Sequence, residues 1–150
     1  MKLSENRLKP AVNTSVIMSL VLVIGGAGKM GRWFARFLGS QGFEIEISDP
    51  MNGVDGYRNV GRWQEIDLDH DVIVVAAQIR ESAKILEGLL DFRPSGLVID
   101  ISSLKSPMRR PLRALIEAGI KVSSIHPMFG PDTDLLSGRH VIFIDLGVEG

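Results

Sequence analysis

Three short stretches of this sequence join chemically capable side chains to backbone that glycine or proline restricts. "SSIHPMFGPD", Ser123 to Asp132, sets His126 against Pro127 and closes the following turn with Gly-Pro-Asp. An imidazole is the side chain best suited to moving a proton near neutral pH. "DISSLKSP" carries the hydroxyls of Ser102 and Ser103 and the ammonium of Lys105. "GGAGKMG" offers mainly its backbone: Gly26, Gly28 and Gly31 match G-x-G-x-x-G. In that pattern the first glycine permits a tight turn, the second lets the chain approach a pyrophosphate, and the third lets a helix pack against a strand. A helix opening at Lys29 and Met30 would add unpaired N–H groups and about half a positive charge, which suits a diphosphate.

These residues need a scaffold, and the apolar pattern supplies one. "VIMSLVLVI" reads as a buried strand leading into the glycines, and "KMGRWFARFLGSQ" sets Met30, Trp33, Phe34, Phe37 and Leu38 on one side of a helix. "FEIEISD" alternates Phe43, Ile45 and Ile47 with Glu44, Glu46 and Ser48, as a half-buried second strand does. "PMNGVDGYRNVGRWQEIDLDH" is irregular, with at most a short helix near Trp63. "DVIVVAA", "GLVIDIS", "KVSSI" and "HVIFIDLG" read as strands three to six. Between them, "ESAKILEGLLDF" is amphipathic through Ile85, Leu86, Leu89 and Leu90, and "PMRRPLRALIEAG" is a helix that Gly119 can cap.

Strands alternating with helices specify an α/β domain with a doubly wound parallel sheet, a Rossmann fold of about six strands. Such sheets bind ligands beyond the carboxyl ends of their strands. Asp49 ends the second strand, 18 positions after Gly31, where a carboxylate can accept hydrogen bonds from an adenosine ribose. A 2′-phosphate about 4 Å away would be repelled by roughly 1 to 4 kcal/mol, and no arginine directly follows. The expected cofactor is therefore NAD, with NADP less favoured. Ala77 ends the third strand and belongs to the same cofactor site. In a strand order of 3-2-1-4-5-6, "GLVIDIS" lies beside the first strand, placing Ser102, Ser103 and Lys105 near the nicotinamide, with His126 one strand further out. Lys105 could meet a substrate carboxylate or a cofactor phosphate, or could be a solvated lysine opening a helix. Arg109, Arg110 and Arg113 read as a solvated face, Asp132 as a turn residue and His140 as structural.

The bulk composition agrees with an ordinary soluble domain. The 150 residues are one domain's worth, 45% are hydrophobic and 23% charged, and the formal net charge is -1. Such a balance, with no long basic run, argues against nucleic acid as a partner. Cysteine is absent, which removes disulfides and thiolate metal sites and fits a cytoplasmic protein; no metal site is expected. Lys2, Arg7 and Lys9 before "SVIMSLVLVIGG" imitate a signal peptide, but the apolar run falls short of the about 20 residues of a membrane span. Residues 1–15 read as a flexible tail, with Met18 an alternative start, and residues 16–150 as the dinucleotide-binding domain.

"GGAGKMGRWFARFL", "DISSLKSP" and above all "HPMFGPD" resemble the corresponding stretches of prephenate dehydrogenases, which oxidatively decarboxylate prephenate in tyrosine biosynthesis. The resemblance covers about residues 18 to 147. It implies that His126 hydrogen-bonds the ring hydroxyl of the substrate and that Ser103 lies near nicotinamide and substrate. The family normally continues into a helical domain that mediates homodimerisation and supplies basic residues for the substrate carboxylates. That domain is absent from this sequence, so the chain alone is expected to bind NAD and to turn over prephenate poorly. Arogenate and aminodeoxyprephenate dehydrogenases remain open as close alternatives, and a non-catalytic dinucleotide-binding module as one of another class. Hydroxyacid and imine reductases share the architecture, but the "HPMFGPD" loop argues against them.

Overall fold

In the computed structural model, residues 18–134 and 138–147 are described. The expected N-terminal tail and the first two residues of the first predicted strand lie outside them. The chain runs β1 (Leu20–Ile24), α1 (Lys29–Ser40), β2 (Glu44–Ser48), β3 (Arg58–Asn59), β4 (Val72–Val75), α2 (Ile79–Phe92), β5 (Leu97–Asp100), α3 (Arg109–Glu117), β6 (Val122–Pro127) and β7 (Val141–Phe143), with short 3-10 turns at Trp63–Glu65 and Ser106–Met108. The strands form one sheet in the order β3-β2-β1-β4-β5-β6-β7. The first six are parallel, and β7 returns antiparallel against β6.

Two details correct the reading from sequence. The sheet has seven strands, not six, because Arg58–Asn59 adds a two-residue edge with no apolar signal. What holds it is cross-strand pairing: Asn59 is opposite Ile47 and Arg58 opposite Glu46, with Arg58 Nη1 2.7 Å from Glu46 Oε1. Glu46 was expected to face water, yet it is 5% exposed, and its Oε2 lies 2.8 Å from Nε2 of the buried His70. The missed strand also shifts the count. β4, the third of the strands expected from sequence, sits beside β1, and Leu97–Asp100 lies one place further out. Between β1 and β4 the strand order reverses direction, and this is the switch point at which such sheets open a cleft.

Each face of the sheet carries its own core. Leu22, Ile24, Ile73 and Val75 point to the side covered by α2 and α3 through Leu86, Leu89, Leu112 and Leu115. Val21, Val23, Ile45 and Ile47 point to the other side, where α1 contributes Trp33, Phe34 and Ala35. Fully burying a Leu, Ile or Phe side chain stabilises by about 1.5–3 kcal/mol, so β1, apolar on both faces, anchors both cores. Gly119 takes φ +82° just after α3, the left-handed C-terminal position foreseen for it. Arg109, Arg110 and Arg113 are exposed on α3 as expected, and Asp132 sits exposed in a turn. His140 is exposed, and its carbonyl accepts from Met128 N at 2.9 Å.

Candidate functional site

The glycine loop joins β1 to α1, and its glycines divide the labour differently from the motif's usual reading. The tight turn falls on Gly25, at φ +80°, where a Cβ would lie within 3 Å of the Ala76–Ala77 backbone. Gly25 N donates to Ser48 O at 2.8 Å, tying the turn to β2. A Cβ on Gly26 would strike the Ile47 side chain, and one on Gly31 would collide with the carbonyl oxygen of Gly25. Neither Gly26 nor Gly31 borders the cleft; both allow the loop to fold tightly beneath it. Gly28 is different, because the nearest atom to an added Cβ is Gly25 O at 3.4 Å. The fold itself makes little demand for glycine there. Gly28 is also the N-terminal cap of α1, with no side-chain capping bond and no acid in the first turn. The free amides of that turn and the Lys29 ammonium therefore make an anion-binding end.

A cleft of about 1070 Å³ opens beyond the strand ends. Gly28, Lys29 and Met30 form one wall, Asp49 another, Ala77 lies after β4, and Ser102, Ser103 and His126 close the far side. Asp49 braces the loop: its Oδ2 accepts from Ala27 N at 3.2 Å, and its Oδ1 from Met51 N at 3.1 Å and Asn52 N at 3.2 Å. Ser102 is 8% exposed, and its Oγ is buried without a partner among the described residues. A buried hydroxyl left unpaired at a cleft wall calls for a ligand or a water. His126 is the penultimate residue of β6, half-buried, with no hydrogen bond to its ring among the described residues.

Two arrangements hold the far side in place. The loop after His126 is clamped to α1, since Phe129 packs on Trp33 with ring centroids 4.7 Å apart and Trp33 Nε1 donates to Thr133 O at 2.7 Å. The serine loop is fixed to β6 by Asp100, which is fully buried. Its Oδ1 accepts from Ser102 N at 3.0 Å, while Oδ2 takes Ser124 Oγ and Lys105 Nζ, each at 2.9 Å. Lys105 Nζ also donates to Ile125 O at 2.7 Å, one residue before His126. Lys105 is thus neither a substrate ligand nor a solvated lysine but an internal brace. Sequence reasoning missed the brace because Lys105 follows Asp100 by five positions across a loop, a spacing with no helical or strand meaning.

The profile of the family described as "Prephenate dehydrogenase, nucleotide-binding domain" matches residues 53–149. The chain belongs to this family. The matched span contains Ser102, Ser103 and His126, whereas the glycine loop and Asp49 precede it. The probable arogenate/prephenate dehydrogenase of Methanocaldococcus jannaschii is 27% identical over 140 residues, 87% of this chain and 30% of that protein. The T-protein of Enterobacter agglomerans is 27% identical over 129 residues, 83% of this chain and 31% of that protein. The chain therefore spans about three-tenths of these curated relatives. Among solved structures, the pyrroline-5-carboxylate reductase of Coxiella burnetii aligns with TM-score 0.59 and 20% identity, over 75% of this chain and 45% of that one. The Plasmodium falciparum pyrroline carboxylate reductase, solved with NADP bound, aligns with TM-score 0.56 and 16% identity, over 73% and 41%. These likenesses are of fold. No helix among the described residues is long and apolar enough to cross a membrane, and they include no cluster of three or more His, Asp or Glu able to hold a metal.

The glycines of the loop are separable by experiment. Gly28→Ala is expected to keep the thermal unfolding midpoint of the parent and to weaken NADH binding at least tenfold, because its methyl group enters the space a diphosphate needs. Gly31→Ala is expected to lower the midpoint itself, because its methyl group meets backbone that cannot yield. Paired melts and NADH titrations check both.

Proposed function

We propose that this chain is the cofactor-binding domain of an NAD-dependent prephenate dehydrogenase, acting in the oxidative decarboxylation of prephenate to 4-hydroxyphenylpyruvate. The observation that carries the reading is the shared cleft. An uncapped helix N-terminus, a ribose-height carboxylate, two serines and an unpartnered histidine all border it, although the sequence spreads them from Gly28 to His126.

The residues fit the dinucleotide part by part. Gly28, Lys29 and Met30 would hold the diphosphate, Asp49 the adenosine ribose, Ala77 the wall between the two halves, and Ser102 and Ser103 the nicotinamide end. The nicotinamide, when bound, would supply the acceptor for the hydride, which carries both electrons of the oxidation. His126 accepts a hydrogen bond from the hydroxyl on the substrate carbon that loses hydride. As that carbon becomes carbonyl-like its hydroxyl turns acidic, and a neutral imidazole takes the proton, an assistance worth about 10²- to 10⁴-fold. The bond between the ring and its carboxylate then breaks, carbon dioxide leaves, and its electron pair completes the aromatic ring. Ser103, exposed at the cleft edge, would orient the substrate against this histidine.

Arogenate carries an amino group where prephenate has a side-chain keto group, far from the reacting carbon, and the M. jannaschii relative is named for both substrates. The same residues would serve either. NADH titration followed by the rise in NADH absorbance with NAD and prephenate, or NAD and arogenate, separates the possibilities. The reading expects dinucleotide binding and a rise with one of the two substrates. Binding without turnover, in a longer protein that carries this domain, would instead indicate a non-catalytic sensor module. Failure to bind any dinucleotide would refute the cofactor site.

A further inference from the structure

The structure brings an arginine to the adenosine end of the cleft that the sequence places 13 positions after Asp49. Past β3 the chain crosses the carboxyl end of β2: Val60 N donates to Ile47 O at 2.8 Å and Ser48 Oγ to Gly61 O at 2.9 Å. Gly61 sits at φ +71°, and the next residue, Arg62, borders the same cleft as Asp49 and Asn52. Its one ion pair among the described residues is with Glu65 at 3.9 Å, between side chains that are 63% and 68% exposed. An exposed contact of that length binds weakly, so the guanidinium is available to a ligand.

Asp49 is, at the same time, a poorer barrier to phosphate than its charge suggests. Three backbone N–H groups converge on its two oxygens, and charge-assisted bonds of this kind partly satisfy the carboxylate from within. A 2′-phosphate arriving here would meet a carboxylate already engaged and an arginine that is not. Guanidinium and phosphate pair through two parallel N–H to oxygen bonds, a geometry lysine cannot reproduce.

We infer that Arg62 reads the 2′ position of the adenosine ribose, so that this chain binds NADP(H) as well as NAD(H). The inference rests on the dinucleotide reading of the cleft and deepens it, replacing the NAD preference expected from Asp49 alone with acceptance of both cofactors. Fluorescence titration of the purified chain with NADH and with NADPH tests it, with 2′-AMP and 5′-AMP as competitors. The parent chain is expected to bind the two within about tenfold of each other, and Arg62→Ala to weaken NADPH at least tenfold while NADH stays within about twofold. Arg62→Lys should recover only part of the loss, and 2′-AMP should lose its competition in Arg62→Ala more than 5′-AMP does. Equal losses for both cofactors would mean that Arg62 touches the adenosine they share, and would overturn the proposal. A parent chain that binds NADH more than 100-fold tighter than NADPH would overturn it too. A chain that binds neither refutes the cofactor site itself, a result distinct from failure of the 2′ assignment.

Discussion

Replacing His126 with asparagine is expected to lower prephenate turnover by about 10²- to 10⁴-fold while NADH affinity stays within about twofold. Asparagine is close to the imidazole in size and can still hydrogen-bond the substrate hydroxyl, but it cannot take its proton. The loss should therefore fall on kcat, with KM for prephenate changing little. His126 is the penultimate residue of β6 with its ring unpartnered among the described residues, and Pro127 ends the strand in a buried position. The substitution removes no internal bond, so a thermal melt should match the parent. Steady-state kinetics in a prephenate-active protein carrying this domain, with NADH titration beside it, make the check. Full turnover in His126→Asn would remove the histidine from the mechanism and leave its place in the cleft unexplained.

Lys105→Met is expected to lower stability by about 3–5 kcal/mol, because it leaves the fully buried Asp100 without its cation. The same change frees Ile125 O, so the serine loop should lose its register against β6 and NADH affinity should fall with stability. Asp100→Asn combined with Lys105→Met should regain much of the loss, since no unpaired charge is then buried and the amide oxygen can still accept from Ser102 N. Urea unfolding of the parent, the single variant and the pair gives the comparison. A Lys105→Met chain that unfolds at the parent's urea midpoint would show that the contact contributes nothing to folding.

The fold was legible where burial is simple. β1 and β4 are runs of Val, Ile and Leu because both of their faces are covered, and α1 and α2 show their apolar stripes because one side of each meets the sheet. Legibility failed where polar contacts do the holding. β3 is two polar residues, Arg58 held by Glu46 and Asn59 by the backbone of Val54 and Tyr57, and nothing in "YRNVG" announces a strand. Missing it displaced the strand order, although Ser102, Ser103 and His126 reach the same cleft because the loops after β4, β5 and β6 all project from one edge of the sheet.

At the site the same division holds. The sequence by itself determined the chemical groups and their strand-end positions: glycines after β1, a carboxylate after β2, serines after β5 and a histidine at the end of β6. Those follow from short-range pattern, because a parallel strand delivers its last residues to a known edge. Only the tertiary structure decided that Gly25 makes the turn, that Asp49 is engaged by three amides, that Lys105 is internal and that Arg62 borders the same cleft as Asp49. Each of these depends on contacts between segments whose spacing carries no period, and a buried charge or a borrowed arginine is defined by what packs around it rather than by its neighbours in the chain.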